Sequence, residues 1–161
     1  MRVLVLSPDA ASDGLLAGLR SEGLVCDEAH DLDDLPSALA LSGPYDLVLL
    51  DLARFDPVVH RAVRALRRNG SAHPVLAICA RLEPGEEEAA LHSGADDVLR
   101  HPLGLPVLLA RVQALVRRAR AALHYRLSHA IPGLRRGAHR RRARLGVALR
   151  PLVPRRGRGQ I

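Results

Sequence analysis

The chain has 161 residues, 48% of them hydrophobic, which suits one compact domain of about 110–130 residues with a sizeable core, plus an appendage. Cys26 and Cys79 are the only cysteines and lie far apart, which excludes a disulfide framework and a paired metal-ligand motif and points to a reducing compartment, the cytoplasm. The formal charge of +7 is unevenly spread: residues 1–97 hold 8 Arg and all 17 acids, a formal −9, whereas residues 98–161 hold 16 Arg and no acid, a formal +16.

In chain order, short apolar runs bounded by turn residues alternate with helical patterns. "RVLVL" (2–6) predicts a first strand, and in the "SPDA" that follows, Ser7 suits an N-cap and Pro8 the first position of a helix over 9–21, with Asp9 behind them. "GLVCDEA" (23–29), "DLVLLDL" (46–52), "PVLAICA" (74–80) and "DDVLR" (96–100) predict four more strands. Residues 33–42, 57–69, 84–93 and 104–120 carry apolar side chains at helical spacing, the last placing Leu108, Leu109, Val112, Leu115 and Val116 on one face. Apolar strands separated by amphipathic helices imply a parallel sheet covered on both faces, because crossover helices hide both sides of each strand. The expected fold class is α/β: a doubly wound (βα)5 domain over residues 1–120, with a parallel five-stranded sheet.

In such a sheet the crevice beyond the carboxyl ends of the strands is the natural site. The residues placed there are Ser7, Pro8 and Asp9 after the first strand, Asp51 ending the third, Cys79 ending the fourth and His101-Pro102 after the fifth. Asp51 follows "LVLL", and a carboxylate ending a buried strand is costly unless it is paired, hydrogen-bonded or used. No nucleophile and base pair, Gly-rich phosphate loop or metal-ligand cluster is apparent, so no catalytic residue, no metal site and no enzymatic activity are expected.

Three stretches, "PYDLVLLDL", "HPVLAICARLEPGEEEAALHSGADDVLRHPLG" and "LLARVQALVRR", resemble the receiver domain of bacterial two-component response regulators, whose fold is flavodoxin-like. The resemblance covers about residues 1–120 and is nearest to receivers that precede a winged-helix DNA-binding domain. It implies that Asp51 is the phosphoacceptor for a sensor histidine kinase, in a magnesium-assisted transfer. The family's two metal-holding acids correspond to Ser7 and Pro8, which bring no charge, and Asp9 stands one position late. The family's hydroxyl after the fourth strand corresponds to Cys79, its Lys after the fifth to His101, and its switch aromatic to Val98. The usual loop after the acceptor is replaced by "ARFDPVV", with Phe55 where a Pro would stand. The resemblance thus implies an atypical receiver with a degenerate pocket and weak magnesium binding. Of the family's pairing face, Asp97 and Arg111 are retained while other members are missing, which implies a weak homodimer.

Residues 121–161 differ in kind: they hold 11 Arg and no acid, and all 24 basic residues of the chain are Arg, the mark of a GC-rich coding sequence. A winged helix needs roughly 90–100 residues, so no complete effector domain is present in this segment. Arg, Ala, Gly, Pro and Leu supply 28 of residues 126–161, which suits a disordered tail from a truncated or out-of-frame effector domain. Arg135, Arg136, Arg140, Arg141, Arg142 and Arg144 would give it nonspecific, salt-dependent contact with nucleic acid phosphates, the alternative function. No apolar run approaches the roughly 18–20 residues needed to span a bilayer, so no membrane partner is expected.

Overall fold

The computed structural model describes residues 1–8, 13–41 and 44–130. A compact unit comprises residues 1–122, and a second unit starts at Leu123. In chain order the elements are β1 (Arg2–Leu6), α1 (Asp13–Ser21), β2 (Val25–Ala29), α2 (Leu35–Leu41), β3 (Leu47–Arg54), α3 (Pro57–Arg68), β4 (Val75–Arg81), α4 (Glu86–Ser93), β5 (Asp97–Arg100) and α5 (Leu105–Ala130). All strand pairs are parallel, in the order β2-β1-β3-β4-β5.

The sequence of the strands explains how both faces are covered. Successive side chains alternate between faces, so an unbroken apolar run feeds two cores at once. Leu4 and Leu6 of β1, Val48 and Leu50 of β3 and Ala77 and Cys79 of β4 join Leu35 of α2, Val59 and Val63 of α3 and Ala90 of α4. Val3 and Val5, Leu47 and Leu49, and Leu76 and Ile78 join Leu16 and Leu19 of α1 and Leu108, Val112, Leu115 and Val116 of α5.

The Ser7 N–H continues the ladder to the Ala29 carbonyl at 3.0 Å, Pro8 lies in a bend, and α1 runs over Asp13–Ser21, with residues 9–12, on which the capping reading depends, outside the described residues. Three boundaries differ from the sequence expectation, each for a local reason. Asp51 does not end β3, which runs on to Arg54, and Cys79 does not end β4, which runs on to Arg81; the register continues through Leu52↔Cys79 to Arg54↔Arg81. Without a Pro or Gly directly after the acid, nothing breaks the strand until Asp56, whose carboxylate accepts from the N–H groups of Val58 and Val59 at 2.8 and 2.9 Å and starts α3, with Pro57 in its first turn. The last helix passes the expected boundary at Arg120 and continues to Ala130, through "AALHYRL", which holds good helix formers and no Gly or Pro. Residues 123–130, the described part of the second unit, expose Leu123, Tyr125 and Leu127, and the Tyr125 and His129 rings stack at 3.9 Å.

Arg67, in the last turn of α3, ties the connection between α4 and β5 to the sheet. Its guanidinium donates to the carbonyls of Gly94, Ser71 and His73 at 2.9, 3.0 and 2.7 Å and to Asp96 Oδ2 at 2.7 Å. Asp96 Oδ2 also accepts from the Val75 N–H that opens β4. Gly94 makes the approach possible: its φ is +115°, and a Cβ there would meet Arg67 Cγ at 2.6 Å. Removing the guanidinium strands several acceptors at once. Arg67→Ala is expected to lower stability by about 2–3 kcal/mol in urea unfolding, whereas Arg64→Ala, at an exposed position of the same helix, should change it by less than about 0.5 kcal/mol.

Candidate functional site

The carboxyl edge of the sheet brings together most of the residues singled out above. Leu6 is in register with Leu50 across β1 and β3, so Ser7 stands level with Asp51 on the neighbouring strand. Ser7 is buried, and its backbone is committed on both sides: its N–H donates to Ala29, and its carbonyl lies 3.2 Å from His30 Nδ1. His101 follows β5 directly, and its N–H donates to the Cys79 carbonyl at 2.9 Å, which fixes where the imidazole begins. The His101–Pro102 peptide is cis.

From there His101 reaches Asp51, with Nε2 3.1 Å from Oδ1. The Asp51 side chain is 12% exposed and that of His101 35%. The imidazole Nε2–H donates to the carboxylate. The buried-strand acid flagged in the sequence therefore has a partner from fifty positions away.

Cys79 turns into the core. It is in register with Leu52 rather than Asp51, is fully buried, and packs in the core with Val98 and Ala90. Burial pushes its thiol up to about 11, helped by the negative charges of Glu86 and Asp51. Glu86, in the first turn of α4, accepts from the Glu83 N–H at 2.8 Å and from Arg54 at 2.8 Å, and these contacts hold its carboxyl below the usual carboxylate range. Val98 is a buried core residue. Asp97 and Arg111 pair with each other within the chain at 3.3 Å. Asp9 and Arg135, Arg136, Arg140, Arg141, Arg142 and Arg144 lie outside the described residues.

Among the described residues the donor set at this edge does not fit magnesium, which requires several hard oxygens in near-octahedral array. Asp51 supplies a carboxylate that is already engaged by His101, Pro8 has no side-chain oxygen, and among the described residues no group of three or more His, Cys, Asp and Glu could hold a metal ion.

No protein-family model matches the chain. It is 39% identical over 119 residues to the transcriptional regulatory protein PmrA of Pectobacterium parmentieri, an alignment covering 73% of this chain and 53% of PmrA. A two-component response regulator from Clostridium difficile superposes with a TM-score of 0.64 at 28% identity, covering 73% of this chain and 97% of that one. The compact unit is a receiver domain of the response-regulator kind. The structure of an atypical orphan response regulator, described as having a phosphorylation-independent regulatory mechanism, also matches this receiver, with a TM-score of 0.61 at 28% identity over 73% of this chain and 96% of that one. The chain spans about half the length of the curated relatives it matches. Among the described residues no helix is long and apolar enough to cross a membrane.

Sequence reasoning found Asp51 and His101 but not their contact, and it missed Arg54, Arg81 and Arg100, one at the end of each of β3, β4 and β5. The visible signal was the repeated Arg after an apolar run; its meaning needs the register.

The thiol of Cys79 gives the receiver a measurable alkaline weakness. Between the ordinary thiol value of 9.0 and about 11, an unfolded chain loses the Cys79 proton while the folded domain keeps it, so stability falls as pH rises through that window. Urea unfolding at pH 8 and pH 10.5 should show a loss for the protein that is reduced in Cys79→Ala; equal losses would place the alkaline weakness elsewhere.

Proposed function

We propose that this chain is a two-component signalling protein whose receiver works without efficient magnesium-dependent phosphorylation of Asp51. The observation that carries this reading is the Asp51–His101 contact at 3.1 Å in a pocket where Ser7 and Pro8 stand beside the acceptor. A phosphodonor must bring a highly charged group to Asp51, and among the described residues this pocket offers no built metal site to offset that charge. His101 instead occupies the Asp51 carboxylate with a hydrogen bond. The described relatives support a link to transcription, since PmrA is a transcriptional regulatory protein, and they support a sensor histidine kinase as a partner and signalling rather than catalysis as the activity.

Magnesium titration and phosphodonor treatment test the reading. Magnesium is expected to bind only weakly and Asp51 to be modified poorly, and Ser7→Glu with Pro8→Asp should raise both. Millimolar or tighter magnesium affinity in the unaltered chain, with stoichiometric modification lost in Asp51→Asn, would contradict it.

Self-association belongs to the same proposal. An interchain Asp97–Arg111 pair would have to replace the intrachain one, so the exchange yields little net energy, and exposed pairs contribute only about 0–1 kcal/mol. A weak homodimer through β5 and α5 follows; sedimentation equilibrium should show a concentration-dependent monomer and dimer mixture, reduced by Arg111→Glu. The second reading, nucleic acid contact through residues 121–161, is favoured by the segregation of 11 Arg from every acid. DNA retention that weakens steeply with salt and disappears on deleting residues 131–161 would support it.

A further inference from the structure

A cleft of about 600 Å³ opens between the carboxyl ends of β4 and β5 and the start of α4, and its lining includes neither Asp51 nor His101. Its apolar lining includes Val98, Leu82 and Pro84, and its charged lining is Arg81, Arg100, Glu83 and Glu87. The register explains why two arginines meet there. Cys79 is opposite Arg100, and Cys79 and Arg81 alternate onto the same face of the sheet, so Arg81 and Arg100 are diagonal neighbours on adjacent strands.

Diagonal like charges repel, yet neither side chain has an ion-pair or hydrogen-bond partner among the described residues. Arg54, which ends β3, is by contrast paired with Glu86. The cleft therefore presents two uncompensated guanidinium groups, which bind a carboxylate in a planar, bidentate manner. It also presents two carboxylates, Glu83 and Glu87, neither of which has an ion-pair partner among the described residues.

We propose that this cleft binds a small zwitterion with an apolar body, the class of the apolar α-amino acids. The ligand's carboxylate is held by Arg81 and Arg100, its ammonium by Glu83 and Glu87, and its side chain rests on Val98, Leu82 and Pro84. Charge decides the class. With two cations and two anions lining it, the site is formally neutral, so a dianion such as phosphate would leave it negative and would gain nothing from the apolar lining, whereas a zwitterion matches both pairs. The small side chain of Val98 is what leaves room for the ligand's body.

Titration of the full chain with L-phenylalanine, followed by calorimetry and by amide chemical shifts, tests the site. One saturable site is expected, with shifts concentrated on residues 81–87 and 98–100. Arg81→Ala and Arg100→Ala should each weaken binding by at least about tenfold, as expected for loss of a charge-assisted hydrogen bond. 3-Phenylpropionate, which lacks the ammonium, and phenethylamine, which lacks the carboxylate, should bind at least about tenfold more weakly than L-phenylalanine for the same reason. Val98→Phe should abolish binding by filling the base of the cleft; the exposed arginine variants keep the test decisive if that variant does not fold. The proposal is overturned by absence of saturable binding, by binding that survives in the Arg81→Ala, Arg100→Ala double variant, or by tighter binding of 3-phenylpropionate, which would report anion capture by arginines in general.

Discussion

Everything in the compact unit depends on the central pair of strands, β3 and β4, being buried on both faces. Leu47, Val48, Leu49 and Leu50 and Val75, Leu76, Ala77, Ile78 and Cys79 are fully buried. Their backbone polar groups have no water to turn to and are satisfied by the parallel ladders. A polar side chain in the body of these strands would be stranded, so chemistry is displaced to their carboxyl ends, where loops and helix starts supply partners. Asp51 is the innermost polar residue on β3, and its position is tolerable because His101 arrives from the neighbouring edge of the sheet.

The same ladder runs past the strand ends expected from the sequence. Pairing continues beyond Asp51 to Arg54↔Arg81, so the segments that follow the acceptor and the fourth strand begin as sheet rather than as loops. Phe55, fully buried, and Asp56, capping α3, hold the next turn in place, and Arg54 joins it to the start of α4 through Glu86. Extension of the ladder also carries the three strand-ending arginines to one side of the sheet. One is paired and two open onto the cleft beneath α4.

Charge is thus handled differently at two neighbouring places. At Asp51 a single, nearly buried carboxylate is met by the imidazole of His101 at 3.1 Å. At the cleft, permanent cations and anions face one another without pairing. The first satisfies a carboxylate near the end of a buried strand, and the second leaves Arg81 and Arg100 without a partner among the described residues.

The sequence by itself determined the architecture: five apolar runs too short for anything but buried strands, each followed by a helical pattern, allow little besides a parallel sheet covered on both faces. It also determined that Asp51 and His101 stand at the carboxyl edge and that acids are missing at Ser7 and Pro8, because residue type and order in a (βα)5 chain fix which strand ends they occupy. Tertiary structure alone decided where the strands stop, since a strand continues as long as a neighbour offers backbone partners, and the partners for Leu52 and Arg54 come from Cys79 and Arg81. It alone decided that Cys79 turns into the core while Asp51 meets His101, because a period of two makes adjacent residues face opposite sides and only the register says which. And it alone joined Arg81 to Arg100 beside Glu83 and Glu87, a neighbourhood set by pairing across strands that no local pattern records.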